Sequence, residues 1–363
     1  AALPVPPALW SGSPGMRVYA PPSDGPYSYE ARWQDLAQVV ATADGGYLAA
    51  GTVAYELRLA KFDRDGRVEW TRLHAAPFDL YAHALAASPD GGYRIAGDRG
   101  RGHPAFLLAL DAEGQMRWAE ASRLEWGGPE DDHERLLALA VNSTGESLAA
   151  GWRLEQGEPQ ALAVLFDSGG GLRWRQALPG AAQIRSVVAP DDGWFAAGEA
   201  ADPPRAAWFA RLTAAGEVAW ELAIEEPDSG AANAAALLPD GRLAVAGQRD
   251  DTFEFWLMRL TPDGDFVDAR RLEILDGGSP VVHELLGLSV DADGSYLVGG
   301  VTPDADGWIA RLDPAQGVLW HRIYGGGDQD ALKAVIPHAD GLVAAGLSAS
   351  ADPDAGYALW LVA

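Results

Sequence analysis

A tight turn and a strand of small residues are encoded by Ala43-Asp44-Gly45-Gly46-Tyr47-Leu48-Ala49-Ala50-Gly51. Asp and Gly supply the backbone conformations that such a turn needs. The glycine that ends the strand recurs at seven positions: Gly51, Gly97, Gly151, Gly198, Gly247, Gly300 and Gly346. The intervals between them are 46, 54, 47, 49, 53 and 46 residues. One unit is therefore repeated along almost the whole chain.

Each repeated unit contains the same four short strands in the same order. An apolar first strand precedes the turn, the second strand carries the glycine, a loop of variable length leads to an apolar third strand, and a tight turn leads to a fourth strand with a tryptophan. This period, with no helical segment, predicts an all-β fold of propeller blades. We expect a seven-bladed β-propeller with four antiparallel strands per blade, as a single domain of residues 15–363 after an N-terminal extension at 1–14.

The two ends of the chain complement each other. The seventh unit stops in its third strand, at residue 363, and so lacks a fourth strand. The segment 15–22 matches 66–73 of the first unit and places Tyr19 at the position of Trp70. We predict that this N-terminal strand completes the last blade and closes the ring, which removes two open sheet edges.

Tryptophans mark two strands of the unit. They stand at one position of the third strand (Trp208, Trp256, Trp308, Trp360) and at one position of the fourth (Trp70, Trp118, Trp174, Trp220, Trp320). We predict that they are buried between blades. The fifth unit has Asp268 at the fourth-strand position, and we expect a register shift there that makes Phe266 the packing residue. First strands such as Leu285–Val290 are unalternating apolar runs, which predicts burial on both faces.

One motif of the repeat resembles the PQQ-like and related bacterial propeller repeats, a group similar in architecture to WD40 propellers. It reads Leu110-Asp111-Ala112-Glu113-Gly114-Gln115-Met116-Arg117-Trp118. The resemblance covers residues 15–363 and implies the fold. It implies no quinone, because many members bind none, and the quinoprotein dehydrogenases typically have eight blades and often a vicinal cysteine pair that this chain lacks.

Composition narrows the classes of partner. The formal net charge is −25, so nucleic acid and anionic membranes are disfavoured, whereas basic proteins or cations are favoured. Solubility is the alternative explanation of the acidity. The chain contains no cysteine, which excludes disulfides. The first residues, Ala-Ala-Leu-Pro-Val-Pro-Pro, are typical of the end left after signal-peptide cleavage, and we expect a periplasmic or secreted protein without membrane insertion.

The long loops that follow the fourth strands, with the loops between second and third strands, are expected to surround one mouth of the propeller channel. We call this surface the acidic loop face, because its insertions 122–134, 224–230 and 324–330 are rich in Asp and Glu. Candidate binding residues on it are Trp33, Asp35, Trp126, Asp131, Asp132, His133, Glu134, Trp152, His283, Glu284, Asp328 and Asp330. The tryptophans suit carbohydrate or protein recognition, or cap the hub.

The His-Glu pair recurs, at 133–134 and at 283–284. Imidazole and carboxylate groups could bind a divalent cation such as calcium over the channel mouth, or they could hydrogen-bond the backbones of neighbouring blades and orient the connections. The Asp-rich segments 63–66 and 291–294 lack the later acidic ligand of an EF-hand, and we expect them to be hairpin turns.

Two functions of different classes compete. The first is a non-catalytic, extracytoplasmic binding or scaffolding propeller that recruits a protein partner or another subunit through its acidic loop face. The second is a lyase or hydrolase that acts on a polysaccharide or small ester at the channel mouth, with or without the help of a metal ion, and with His133 and His283 as acid-base groups. No recognisable nucleophile motif occurs in the sequence, which favours the first. The oligomeric state stays open.

Overall fold

The computed structural model describes residues 16–19, 33–53, 55–74, 79–100, 104–121, 133–155, 157–202, 206–224, 230–248, 254–315, 317–325, 329–338, 341–348 and 358–362. At 16–19, 33–35, 53 and 358–362 the description covers the backbone alone. The regular structure in these ranges is all strand, and a search of them for a helix of sufficient length and apolarity to cross a membrane finds none. The all-β prediction is confirmed.

The chain divides into two compact units. One consists of residues 1–82 and 272–363, and the other of residues 83–271. After β1 (Met16–Tyr19) the chain forms four-stranded sheets, each from consecutive strands, and such sheets occur in both units.

Six antiparallel sheets are each built from four consecutive strands. In the first unit these are β2–β5 (Trp33–Ala41, Tyr47–Val53, Glu56–Phe62, Val68–His74) and β24–β27 (Glu284–Val290, Tyr296–Val301, Gly307–Asp313, Gly317–Tyr324), with a small hairpin, β22 (Leu275–Asp276) and β23 (Ser279–Pro280). In the second unit they are β6–β9 (Tyr81–Ala87, Tyr93–Asp98, Phe106–Leu110, Met116–Ala121), β10–β13 (Glu134–Val141, Ser147–Glu155, Glu158–Phe166, Leu172–Leu178), β14–β17 (Ala181–Val188, Trp194–Ala200, Ala207–Leu212, Val218–Ile224) and β18–β21 (Ala232–Leu237, Leu243–Gln248, Phe255–Leu260, Phe266–Leu272).

One further four-stranded sheet joins the two ends of the chain. Its order is β1, β30 (Ala358–Val362), β29 (Gly341–Ser348) and β28 (Asp330–His338). The pairing of the N-terminal strand with the last strand is as predicted, but its register is not. Val18 lies opposite Trp360, where the first unit has Leu73 opposite Arg58, so the true counterpart of Tyr19 is His74 and not Trp70.

Consecutive sheets stack through their first strands. In the second unit β14 contacts β10, β11 and β12, and β18 contacts β14 and β15; in the first unit β28 contacts β24, β25 and β26. Apolar clusters fill the space between the stacked faces, as where Leu165 and Leu178 meet Ile184 and Trp194. Stacked four-stranded antiparallel sheets of this kind are the blades of a β-propeller.

Burial differs between the strands of a blade. Every residue of β7 and β8, a second and a third strand, is buried, whereas buried and half-buried residues alternate along the first strand β10. The prediction that first strands are buried on both faces is therefore wrong. One face of β10 packs against its neighbours, and the other is half-buried and carries Arg135 beside apolar side chains.

The recurring glycine is required by contacts inside its own sheet. A Cβ built on Gly151 would lie 1.9 Å from the carbonyl oxygen of Arg135, and one on Gly346 would lie 1.7 Å from that of Ala331. Arg135 lies in the first strand β10 and Ala331 in the first strand β28. Each carbonyl comes just before a bulge in the pairing of that strand with the second strand. The glycine therefore admits the bulged backbone of the first strand.

The tryptophans behave differently in the two strands. Trp208, Trp256 and Trp308 of the third strands are 1%, 8% and 0% exposed, which confirms their predicted burial. The fourth-strand tryptophans are only half-buried: Trp70, Trp118, Trp174, Trp220 and Trp320. The prediction that they are mostly buried between blades is met only in part for this second set, because the fourth strand is the outer edge of each sheet and leaves part of each indole ring in solvent.

The fifth unit departs from the expectation as well. Asp268 forms an ion pair with Arg259 of the neighbouring strand, with Nε 2.7 Å from Oδ1. Phe266 is 61% exposed and is not a packing residue. A charged pair thus replaces the tryptophan contact, and the predicted register shift is not observed. The Asp-rich turns fold as predicted, since Gly66 N donates to Asp63 O (2.9 Å) and Gly294 N donates to Asp291 O (2.9 Å).

Candidate functional site

The predicted site residues are divided between the two units. Four of them lie outside the described residues: Trp126, Asp131, Asp132 and Asp328. Trp33 and Asp35 lie in β2, where only the backbone is described. His133, Glu134 and Trp152 belong to the unit of residues 83–271, whereas His283, Glu284 and Asp330 belong to the other. Each unit is therefore considered alone.

The two His-Glu pairs have different environments. His133 and Glu134 are buried, at 8% and 0% exposure, and Glu134 forms a close ion pair with Arg175 of β13. His283 and Glu284 are both exposed, and His283 N donates to Val301 O at 2.9 Å, which extends the pairing of β24 with β25. Because Glu134 is buried and ion-paired within its own sheet, it contributes to the packing of that sheet. The repeated sequence motif therefore does not form a repeated site.

The described residues contain no group of three or more His, Asp or Glu side chains placed to hold a metal ion. Glu134 pairs with Arg175, while His133 turns towards a different carboxylate, Asp98, with Nε2 3.7 Å from Oδ1. Neighbouring residues of an extended segment point to opposite faces, so the two side chains do not converge on a common point. The cation proposal finds no support in this pair.

A polar cluster around Asp98 is the best-defined candidate site of the second unit, and sequence analysis missed its centre. The Asp98 side chain is 1% exposed. His83 Nε2 lies 2.6 Å from Oδ2, Arg135 Nε lies 3.3 Å from Oδ2, and Gly100 N donates to Oδ1 at 2.8 Å. Burial raises the pKa of Asp98, but His83, the Gly100 amide and Arg135 outweigh it and hold that pKa below its ordinary value. Asp98 is therefore an anchored carboxylate.

Trp152 forms one wall of this cluster. Its ring lies 5.3 Å from the His133 ring in an edge-to-face arrangement, and the Arg135 guanidinium lies 5.7 Å from its centroid. Arg135 and Trp152 stand directly opposite each other in the pairing of β10 with β11. The guanidinium is thus fixed between an aromatic face and a buried carboxylate.

A second polar network lies on the neighbouring blades. Glu199 accepts hydrogen bonds from Gln183 Nε2 at 2.8 Å and from Arg185 Nη2 at 2.9 Å. Arg185 Nη1 donates to Asn233 Oδ1 of the next first strand at 2.7 Å. This network ties three strands together.

One sequence signal connects the two networks and could have located them. Asp98, Trp152 and Glu199 are each the residue directly after the recurring glycine, on three successive blades. The glycine allows the first strand to approach closely. The side chain of the residue that follows the glycine therefore lies beside the polar residues of that first strand. Position in the repeat, and not the His-Glu motif, marks the site.

Carboxylates converge in the first unit. The turn of residues 302–306 joins β25 to β26, and Asp330 N donates to Ala305 O in that turn at 2.7 Å. Asp330 is 2% exposed. Burial raises the pKa of Asp306, and the negative charges of Asp330 and Asp304 raise it further. This turn belongs to the acidic loop face defined above.

Comparison with known proteins identifies no family. No family model matches the chain, and no curated protein matches it. Among solved structures, the chain is similar to a protein of unknown function from Bacteroides caccae, with 14% sequence identity and a TM-score of 0.46, over 70% of this chain and 83% of that one. The resemblance to PQQ-like repeats stays a prediction.

Proposed function

We propose that this protein is a non-catalytic binding or scaffolding propeller that recruits a protein partner through its acidic loop face. The observation that carries the proposal is the acidic turn of residues 302–306, where Asp330 N donates to Ala305 O and where burial, and then the negative charges of Asp330 and Asp304, raise the pKa of Asp306. Like charges held together cost free energy in the isolated protein, and a basic side chain of a partner relieves that cost. A partner with an exposed Arg or Lys patch fits this chemistry.

The charge of the whole chain supports the same class of partner. A formal net charge of −25 attracts basic proteins at long range and disfavours nucleic acid. In the second unit the buried carboxylates are engaged by nitrogen groups of other strands, Glu134 by Arg175 and Asp98 by His83 and Arg135. Carboxylates held in this way suit a rigid binding scaffold better than acid-base catalysis, which requires a group ready to exchange its proton. The lyase or hydrolase alternative, and the periplasmic or secreted location, stay predictions.

We further propose that the blades form a seven-bladed ring closed by the N-terminal strand. Six sheets of consecutive strands, together with the sheet that combines β1 with β28–β30, support this count. In such a ring β1 covers the edge of β30, and the sheet edges that remain are short, which is how propellers limit edge-to-edge aggregation.

The binding proposal is tested with an oligo-arginine peptide as the probe, titrated calorimetrically into the whole chain. The variant D304N/D306N removes two charges from the acidic loop face. The control D263N/D265N removes two charges from the exposed turn between β20 and β21. We expect the first variant to weaken binding several-fold, with the control close to the parent. Equal losses in both variants would show that only the net charge attracts the peptide, and the acidic loop face would lose its role.

A further inference from the structure

Arg135 is held rigidly while part of its guanidinium stays in contact with solvent. Its Nε is buried 3.3 Å from Asp98 Oδ2 as an ion pair without a hydrogen bond, and its Cζ lies 5.7 Å from the centroid of the Trp152 ring. The side chain as a whole is nevertheless 43% exposed. An arginine fixed on two sides pays little conformational entropy when it binds a ligand.

The two terminal nitrogens of Arg135 make no hydrogen bond or ion pair with any other described residue; its described interactions are those with Asp98 and Trp152. Arg185, on the next first strand, differs, since its Nη1 and Nη2 are bonded to Asn233 and Glu199. One blade therefore has a satisfied guanidinium, and its neighbour has a guanidinium whose terminal N–H donors remain for a ligand.

We propose that Arg135, on its Trp152 wall, is a binding site for the carboxylate of a small molecule. A guanidinium whose buried Nε faces Asp98 offers its terminal edge to solvent, and the parallel N–H groups of that edge match the two oxygens of a carboxylate. This proposal does not depend on the partner proposal, because it rests on Arg135 and Trp152 and not on Asp304, Asp306 and Asp330, and because its ligand is an anion and not a basic protein.

Local charge selects the class of anion. Asp98 contributes one negative charge, which Arg135 balances, and His83 and His133 border the same carboxylate. The cluster is neutral or weakly positive within a strongly acidic protein. A planar carboxylate with one charge fits this balance, whereas phosphate, with between one and two negative charges near neutral pH, meets stronger repulsion from Asp98 and from the chain as a whole.

The test uses NMR of the tryptophan indole N–H groups in the intact chain, with the Trp152 signal assigned through Trp152→Phe. Two carboxylates with one negative charge each, glucuronate and N-acetylalanine, represent a sugar acid and an amino-acid source, and inorganic phosphate is the comparison anion. We expect saturable movement of the Trp152 signal with at least one carboxylate and not with phosphate. The carboxylate that binds more tightly shows whether the natural ligand is a sugar acid or an amino-acid derivative.

Arg135→Lys keeps the positive charge but loses the paired N–H edge, and we expect it to weaken carboxylate binding by roughly tenfold or more. The control is Arg173→Lys, since Arg173 is an exposed arginine of β13 in the same unit. Thermal unfolding of each variant confirms that it is folded. No saturable shift with either carboxylate, phosphate binding as tight as carboxylate binding, or equal affinity in parent and Arg135→Lys would each overturn the proposal.

Discussion

Trp174 lies across Gly216, which belongs to the tight turn of the following blade. A Cβ built on Gly216 would come within 2.8 Å of the Trp174 ring, and Trp174 Nε1 donates to Ala214 O in the same turn at 3.0 Å. The contact recurs, because Trp118 lies against Gly170 and Trp220 against Gly264. Each of these three fourth-strand tryptophans therefore packs over a turn of the next blade, even though its ring is half-exposed. We call this contact between blades the clamp.

The first prediction concerns this clamp. Gly216→Ala places a methyl group in the ring of Trp174 and also strains a backbone with φ of +88°. Gly241→Ala is the matched control, since Gly241 has φ of +83° and nothing within 4 Å of the added Cβ. We expect the control to lower the free energy of unfolding by about 1 kcal/mol and Gly216→Ala by about 1–3 kcal/mol more, measured by urea denaturation.

A double-mutant cycle separates the two causes of that loss. In a Trp174→Ala background the ring is absent, so Gly216→Ala should cost no more than the Gly241→Ala control. Trp174→Ala alone should destabilise by about 2–4 kcal/mol through lost packing and the lost hydrogen bond. If Gly216→Ala costs the same in both backgrounds, the clamp does not link the blades.

The second prediction follows from the raised pKa of Asp306. A folded-state pKa above the unfolded value means that ionisation of Asp306 destabilises the fold, so its contribution is most favourable at low pH and is lost as the pH rises through the folded pKa. Asp306→Asn cannot ionise. We expect it to unfold at a higher temperature than the parent near pH 7, and at a similar temperature near pH 3, where the carboxyl is protonated in both states.

Asp265→Asn, in an exposed turn of the other unit, is the control for a simple change of net charge. A stabilisation of equal size in this control would assign the effect to overall repulsion. Loss of stability in Asp306→Asn at both pH values would instead mean that the carboxylate accepts hydrogen bonds that the fold requires.

The third prediction concerns the strand that joins the chain ends. Deletion of residues 1–19 removes β1 and leaves the N–H and C=O groups of β30 unpaired along one edge. We expect a melting temperature lower by several degrees and self-association visible by sedimentation velocity, because an open strand edge is a template for pairing. Deletion of residues 1–14 leaves β1 intact and should change neither. A fully stable, monomeric 1–19 deletion would refute the closing role of β1.

The sequence predicted the architecture well because its signals are local. The turn at Ala43–Gly46 and the glycine at Gly51 report backbone geometry within a few residues, and their repetition at a period near that of a propeller blade is sufficient to name the fold. Even the pairing of the two chain ends followed from comparing one repeat with another. Its register did not, because a strand of four residues carries too few side chains to distinguish Tyr19 opposite Leu359 from the alternative alignment.

The candidate site was decided by tertiary structure. His83, Asp98 and Arg135 come from three different strands, and no spacing along the chain indicates that one buried carboxylate collects them. The His-Glu repeat suggested ligands for one cation, yet Glu134 is buried in an ion pair with Arg175 while Glu284 is exposed to solvent. Turns and strand periods depend on the nearest residues of the chain, so the sequence alone specifies them. Ion pairs and half-buried rings depend on which strands the packed blades bring together, and only the folded chain specifies that.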